Sequence, residues 1–198
     1  MAQDERMFRS AVLGSFIPQE EKVKIPTRYF YKTNSDMYRL DITGNGYKEG
    51  IVFEKIDGEN WLHFHDNRMK RIKSFPLIAT GVRARPYKIA LRQANATTRL
   101  LLVYFYEGYS NYLDFHGSAR IYIVTIKNGD IANSVVTRGP QYFEESEEIF
   151  NRYYIKRLKI YTKDLDGDGT NELIFSKHLM TTILVLQDDG KWRTPTGN

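Results

Sequence analysis

Along most of this chain, apolar and aromatic residues recur in short runs of strand length, separated by turn-forming dipeptides, and the first such run begins near Met37. Runs over 37–41, 50–56, 60–65, 87–92, 99–106, 120–126 and 131–137 predict β-strands, as do 154–163, 172–176 and 182–187. Asp57-Gly58, Asn128-Gly129 and Asp189-Gly190 are dipeptides of the kind that close two-residue hairpins. Ahead of the first strand, Met7, Phe8, Ala11 and Val12 recur at helical spacing and Gly14 follows as a C-cap, which predicts a short helix over 2–14. A second short helix is expected after Gly139-Pro140, where Phe143, Ile149 and Phe150 ride among Glu144, Glu145, Glu147 and Glu148. The predicted fold class is mainly β with one or two short helices. An N-terminal helical or extended segment, 1–35, precedes a single β domain, 36–198.

Within that domain the sequence resembles itself. The stretch from Tyr38 through Asp41, Gly44, Asn45, Gly46, Glu49 and Ile51 to Phe53 aligns without gaps on Tyr161, Asp164, Gly167, Asp168, Gly169, Glu172, Ile174 and Ser176. Each copy reads as strand, glycine loop, strand, followed by a hairpin turn and a tryptophan: Asp57-Gly58 with Trp61, and Asp189-Gly190 with Trp192. A block without such a loop, 87–138, fits between them as two hairpins or a four-stranded meander. Repeats over about 36–66, 87–138 and 155–193 then give three sheets of about four strands.

The loops carry the candidate chemistry. In the second, Asp164, Asp166, Asp168 and Glu172 supply side-chain oxygens at positions 1, 3, 5 and 9, and Thr170 at position 7 offers its carbonyl. Hard cations such as Ca2+ take six to eight oxygens, and alternating Asp with Gly permits the tight curl that turns successive carboxylates inward. Carboxylates gathered this closely repel one another unless a cation neutralises them. In the first loop Asp41, Thr43, Asn45 and Glu49, with Tyr47 as the carbonyl position, supply only two carboxylates, so a weaker metal site is expected there. An EF-hand would place a bidentate glutamate at position 12 between helices; here position 12 is Phe175, within a predicted strand.

Entering from one strand and leaving into another, the pattern Asp164-x-Asp166-Gly167-Asp168-Gly169-x-x-Glu172 resembles the calcium loops of integrin-type FG-GAP and VCBS repeats. That resemblance implies propeller-like antiparallel blades whose neighbouring strands are joined by calcium loops. A closed seven-bladed propeller needs roughly twice this length, so an incomplete or small propeller is implied, with a β-sandwich as the alternative.

Composition narrows the function classes. The chain has 198 residues, 41% of them hydrophobic and 27% charged, with a mean hydropathy of −0.50 and no apolar run of spanning length, so no membrane span is expected. Without cysteine there is no disulfide framework, thiolate metal site or cysteine nucleophile. Twenty-nine basic residues against 24 acidic ones give a net charge of +5, which permits attraction to acidic polymers. The basic residues are dispersed, however, and the densest run, Arg68 to Lys73, fits a solvated strand or turn; nucleic-acid binding is not expected. Ala2-Gln3-Asp4 after a lone Met1 fits a mature exported chain with its leader removed. Calcium is abundant outside the cytoplasm, and an extracytoplasmic location, periplasmic or secreted, is the expectation.

Two further groups stand out. His63 and His65, two apart, project from one strand face and could share a zinc ion, although alternation with Leu62 and Phe64 already explains them as a polar strand face. Tyr109 and Tyr112, in a Gly-Tyr-Ser-Asn-Tyr stretch read as a loop, are candidates for binding a protein or glycan. No nucleophile elbow, zincin helix, Walker loop or dinucleotide fingerprint occurs. The functional expectation is a calcium-stabilised β module that binds a protein or glycan partner. The alternative is a hydrolase of cell-envelope polymers in which the calcium loop is purely structural.

Overall fold

A computed structural model describes residues 36–79, 84–110, 115–148, 152–177 and 179–195, and these build three antiparallel sheets. Strands β1 (Asp36–Leu40), β2 (Glu49–Ile56), β3 (Glu59–His65) and β4 (Arg71–Leu77) form the N-terminal sheet. The central sheet contains β5 (Arg85–Gln93), β6 (Thr98–Ser110), β7 (Phe115–Lys127), β8 (Val135–Glu148) and β9 (Arg152–Arg157). The C-terminal sheet contains β10 (Lys159–Lys163), β11 (Glu172–Lys177), β12 (Met180–Leu186) and β13 (Trp192–Arg193). In every sheet the strands lie side by side in chain order, so each is a meander of hairpins. The predicted helix over 2–14 lies outside the described residues.

The central sheet is buried on both faces, and its sequence shows why. Side chains alternate across a strand, so an unbroken apolar run must have an apolar environment on each side. Along β6, Leu101, Val103 and Phe105 join one core with Tyr38, Ile51, Phe53, Leu62 and Phe64 of the N-terminal sheet. Leu100, Leu102, Tyr104 and Tyr106 join a second core with Leu173, Phe175, Leu184 and Trp192 of the C-terminal sheet. β7 repeats the division, sending Tyr122 and Val124 to the first core and Ile121 and Ile123 to the second. The outer sheets each have one face on a core, and their strands are shorter.

Several sequence expectations are corrected. As far as Glu148 the stretch after Gly139-Pro140 is not a helix; Ile149 and Phe150 lie outside the described residues. It continues β8, where Phe143 pairs with Ala119 and Glu145 with Gly117, and buried Phe143 and Glu145 alternate with the more exposed Glu144 and Ser146. Pro140 is accommodated because the β7–β8 register slips around Arg120, the position a residue without an N–H tolerates. The run 154–163 is two strands in two sheets, β9 and β10, separated at buried Leu158, whose N–H donates to the Tyr142 carbonyl at 2.7 Å. The central block therefore extends to Arg157 and holds five strands rather than four. The tryptophans are not equivalent either. Asp57-Gly58 joins the second and third strands of its sheet, whereas Asp189-Gly190 joins the third and fourth. Trp61 is half-buried, while Trp192 is buried and donates from Nε1 to Thr125 Oγ1 at 3.1 Å.

Candidate functional site

The two glycine loops join the first two strands of the outer sheets, and their local structures coincide position by position. Leu40 pairs with Glu49 in one sheet and Lys163 with Glu172 in the other, so each loop is closed by a glutamate opposite the residue before its first aspartate. Asp41 accepts the N–H groups of Gly44 at 2.6 Å and Gly46 at 3.1 Å; Asp164 accepts those of Gly167 at 2.7 Å and Gly169 at 3.0 Å. Oε2 of Glu49 accepts Ile42 N–H at 2.9 Å, and Oε2 of Glu172 accepts Leu165 N–H at 2.7 Å. Asn45 and Asp168 each accept the N–H two residues on. Gly44 and Gly167 have φ of 85° and 79°, a left-handed backbone that glycine adopts without steric cost.

The loops part at one position. In the second, a carboxylate oxygen from each of Asp164, Asp166 and Glu172 lies within 4.8 Å of the other two, and Glu172 is buried. In the first, the place of Asp166 is taken by Thr43, whose hydroxyl donates to Glu49 Oε1 at 3.0 Å. A hydrogen bond from an uncharged hydroxyl thus closes the first loop where the second adds a third carboxylate. A protein cation also sits against the first loop: Arg99 of β6 donates from Nη1 to the Asp41 carbonyl at 3.1 Å, and a Cβ added to Gly44 would fall 2.5 Å from its Nη2. The second loop meets the central sheet through neutral groups instead. Asn171 N–H donates to the Ala94 carbonyl at 2.7 Å, and Asn95 Nδ2 donates to Thr170 Oγ1 at 3.4 Å.

Of the five residues predicted for the second site, three converge. Asp168 is turned to the Thr170 N–H, and Thr170 lies at the contact with Asn95. In the first loop Asp41 and Glu49 occupy the corresponding end positions, while Thr43, Asn45 and exposed Tyr47 line a cavity of about 300 Å3 shared with Asp66 and Asp130. Tyr109 lies in β6 opposite His116 and not in a loop; Tyr112 lies outside the described residues.

His63 and His65 share a strand face, their ring centroids 6.5 Å apart, but they do not belong to the converging metal-ligand group found among the described residues. His63 is not on a solvated face: it is 1% exposed, with Trp61 stacked at 6.2 Å between ring centroids. Its Nδ1 is 2.8 Å from Ser74 Oγ, and Nε2 is 3.3 Å from Glu54 Oε2 but off the line of a hydrogen bond. The carboxylate therefore does not lock the tautomer that would leave Nδ1 free to take the serine proton, as a catalytic triad requires.

Burial, then the Arg71 guanidinium, lowers the pKa of both His63 and His65 against the opposing pull of Glu54. A histidine with a depressed folded-state pKa binds its proton more readily in the unfolded chain. Its stability contribution is intact above the ordinary value of 6.5 and declines as pH falls through it. Urea denaturation should therefore show wild type losing stability between pH 7.5 and 5.5 more steeply than His63→Gln. Parallel pH profiles for the two chains would refute this assignment.

A cavity of about 650 Å3, lined by Lys88, Tyr104, Tyr142, Arg157, Lys159 and Tyr161 among others, opens along the seam between the central and C-terminal sheets. Sequence reasoning misses it because only strand pairing and the crossing at Leu158 bring positions 88, 142 and 157 together. No helix among the described residues is long and apolar enough to cross a membrane. Comparison with protein-family models, with curated proteins and with solved structures finds no match to this chain.

Proposed function

We propose that this chain is a calcium-stabilised β module that acts outside the cytoplasm by holding a protein or glycan partner. The observation that carries the metal assignment is the convergence of Asp164, Asp166 and Glu172 within 4.8 Å in a loop whose near-identical counterpart closes itself by a threonine hydrogen bond. Asp164, Asp166 and Glu172 would hold the ion, with Asp168 and the Thr170 carbonyl as the further oxygen donors in the loop. The ion would neutralise the clustered charge and fix β10 against β11. The loop's own amide bonds already hold the Asp164 and Glu172 carboxylates in place, so little ordering remains for the ion to impose. The matched loops and strand registers support propeller-like repeats of the FG-GAP and VCBS kind. A site of modest affinity would fill where calcium is abundant, which supports a role outside the cytoplasm.

Calorimetric titration with calcium, accompanied by melting curves, tests this. At a calcium concentration a hundred times Kd the wild type should gain about 2.7 kcal/mol of stability. For a chain of this size that corresponds to a rise in Tm of roughly 5–10 °C. Asp166→Ala should give neither the binding heat nor the rise. A wild type that takes up no calcium and melts identically in chelator would end the metal assignment.

A further inference from the structure

We infer that the second glycine loop is a calcium-governed clasp, in which Asn171 latches the C-terminal sheet onto the β5–β6 turn of the central sheet; this deepens, and rests on, the assignment of that loop to calcium. Asn171 stands in the chain between Thr170 and Glu172, two residues that would give oxygens to the ion, and its own polar groups are spent elsewhere. Its N–H donates to the Ala94 carbonyl at 2.7 Å, and its Nδ2 donates to the Ala94 and Gln93 carbonyls at 3.1 and 3.2 Å. From the same turn Asn95 Nδ2 reaches back to Thr170 Oγ1 at 3.4 Å. Ala94 is 0% exposed, in the core that the central sheet shares with Leu173 and Phe175 of β11, so the turn is part of the join between the two sheets. It leads directly into Arg99, which donates to the Asp41 carbonyl, and the segment 93–99 therefore touches both glycine loops.

These bonds belong to the acidic loop and not to the loop fold as such. In the first loop the positions of Thr170 and Asn171 are taken by Tyr47 and Lys48, both exposed, and the Lys48 carbonyl accepts Arg39 of its own sheet at 3.4 Å. The loop that gathers three carboxylates is thus the one whose last residues are tied to the neighbouring sheet. Repulsion among Asp164, Asp166 and Glu172 favours a local opening of that loop when no cation is bound. Because Asn171 lies between Thr170 and Glu172, such an opening withdraws it and leaves the Gln93 and Ala94 carbonyls to water. An ion held by the closed loop alone suppresses the opening in proportion to its saturation, and so keeps the sheets latched. The coupling is reciprocal: docking of Asn171 tightens the metal site by the factor by which the metal tightens docking.

The test is residue-resolved amide hydrogen exchange of the full chain, in chelator and in calcium, with calcium affinity measured by calorimetry on the same samples. At a calcium concentration about a hundred times Kd, the N–H groups of Gly167, Gly169 and Asn171 should exchange about a hundredfold more slowly, since openings that release the ion are suppressed by that factor. Those of Ala94 and Asn95 lie outside the loop and bond to the Thr98 carbonyl, and they should slow by at least about tenfold. Asn171→Ala removes the side-chain bonds and keeps the main chain; it should bind calcium about fivefold more weakly and lose most of the protection at Ala94 and Asn95, while Gly167 and Gly169 still slow. Lys48→Ala, the matching change in the first loop, should behave as wild type. Calcium binding with no slowing at Ala94 and Asn95, undiminished slowing there in Asn171→Ala, or an unaltered affinity in that variant would overturn the clasp and leave the metal assignment standing. A wild type that takes up no calcium would overturn both.

Discussion

Phe105→Ala is expected to cost about 3–5 kcal/mol of stability, enough to remove a large part of the folding free energy of a chain this size. Phe105 is 0% exposed on the second strand of the five-stranded sheet, and its ring meets Tyr122 edge-on at 5.8 Å between centroids. Its side chain belongs to the core shared with the N-terminal sheet, which also holds Phe53, Leu62 and Phe64. Leu102→Ala, three residues earlier and on the opposite face, should cost about 2–5 kcal/mol through the other core. Tyr47→Ala, on the exposed face of the first loop, should fall within about 0.5 kcal/mol of wild type. Urea denaturation of the three variants tests the layering itself. A Phe105→Ala chain as stable as Tyr47→Ala would mean that the central sheet is not sandwiched between the other two.

That layering was only partly legible in the sequence. In the outer sheets β1, β2, β3, β11 and β12 announced themselves through turn dipeptides and glycine loops, because each loop combines residues that need a left-handed backbone with aspartates that cap it, whereas β4 and β13 fall outside the predicted runs. Tyr38 opposite Ile51 and Tyr161 opposite Ile174 follow directly from aligning one loop on the other. The central sheet was harder. Glu144, Glu145, Glu147 and Glu148 around Phe143 mimic a helical stripe, and local spacing cannot reveal that Glu145 is buried and accepts the Tyr106 hydroxyl at 3.0 Å. That bond joins residues far apart in the chain, and it is the tertiary pairing that overrides the local pattern. The step from β9 to β10 was hidden for a similar reason: Tyr154 to Lys163 has one continuous strand-like composition, and only packing against two different sheets divides it at Leu158. The metal loop was legible in its residue types, but not in the detail that distinguishes it from its twin. The contrast between Thr43 and Asp166 gains its meaning from where Glu49 and Glu172 place their oxygens.

Exchanging that one position between the loops is expected to exchange their dependence on calcium. Thr43→Asp removes the hydroxyl that donates to Glu49 Oε1 and sets a carboxylate beside a buried one. In chelator this should cost about 1–3 kcal/mol, the penalty for leaving a buried acceptor unpaired, with charge repulsion added. With calcium present the loss should be recovered, and the binding stoichiometry should rise by one. The guanidinium of Arg99 beside Gly44 opposes a second positive charge, so the new site should be weaker than the one at Asp164 and should tighten in Thr43→Asp/Arg99→Gln. Asp166→Thr is the converse. A threonine there has Glu172 as a hydrogen-bond acceptor, as Thr43 has Glu49, and the chain should melt at one temperature with or without calcium, above the wild type in chelator. Charge decides this and not loop shape, since the two loops share the amide bonds to their end carboxylates, and the Asp168 N–H bond to Asp166 at 3.2 Å is an addition in the second. Should both exchanged chains respond to calcium just as the wild type does, the carboxylates at 164, 166 and 172 would be a solvated turn, and the ion would have to be sought elsewhere.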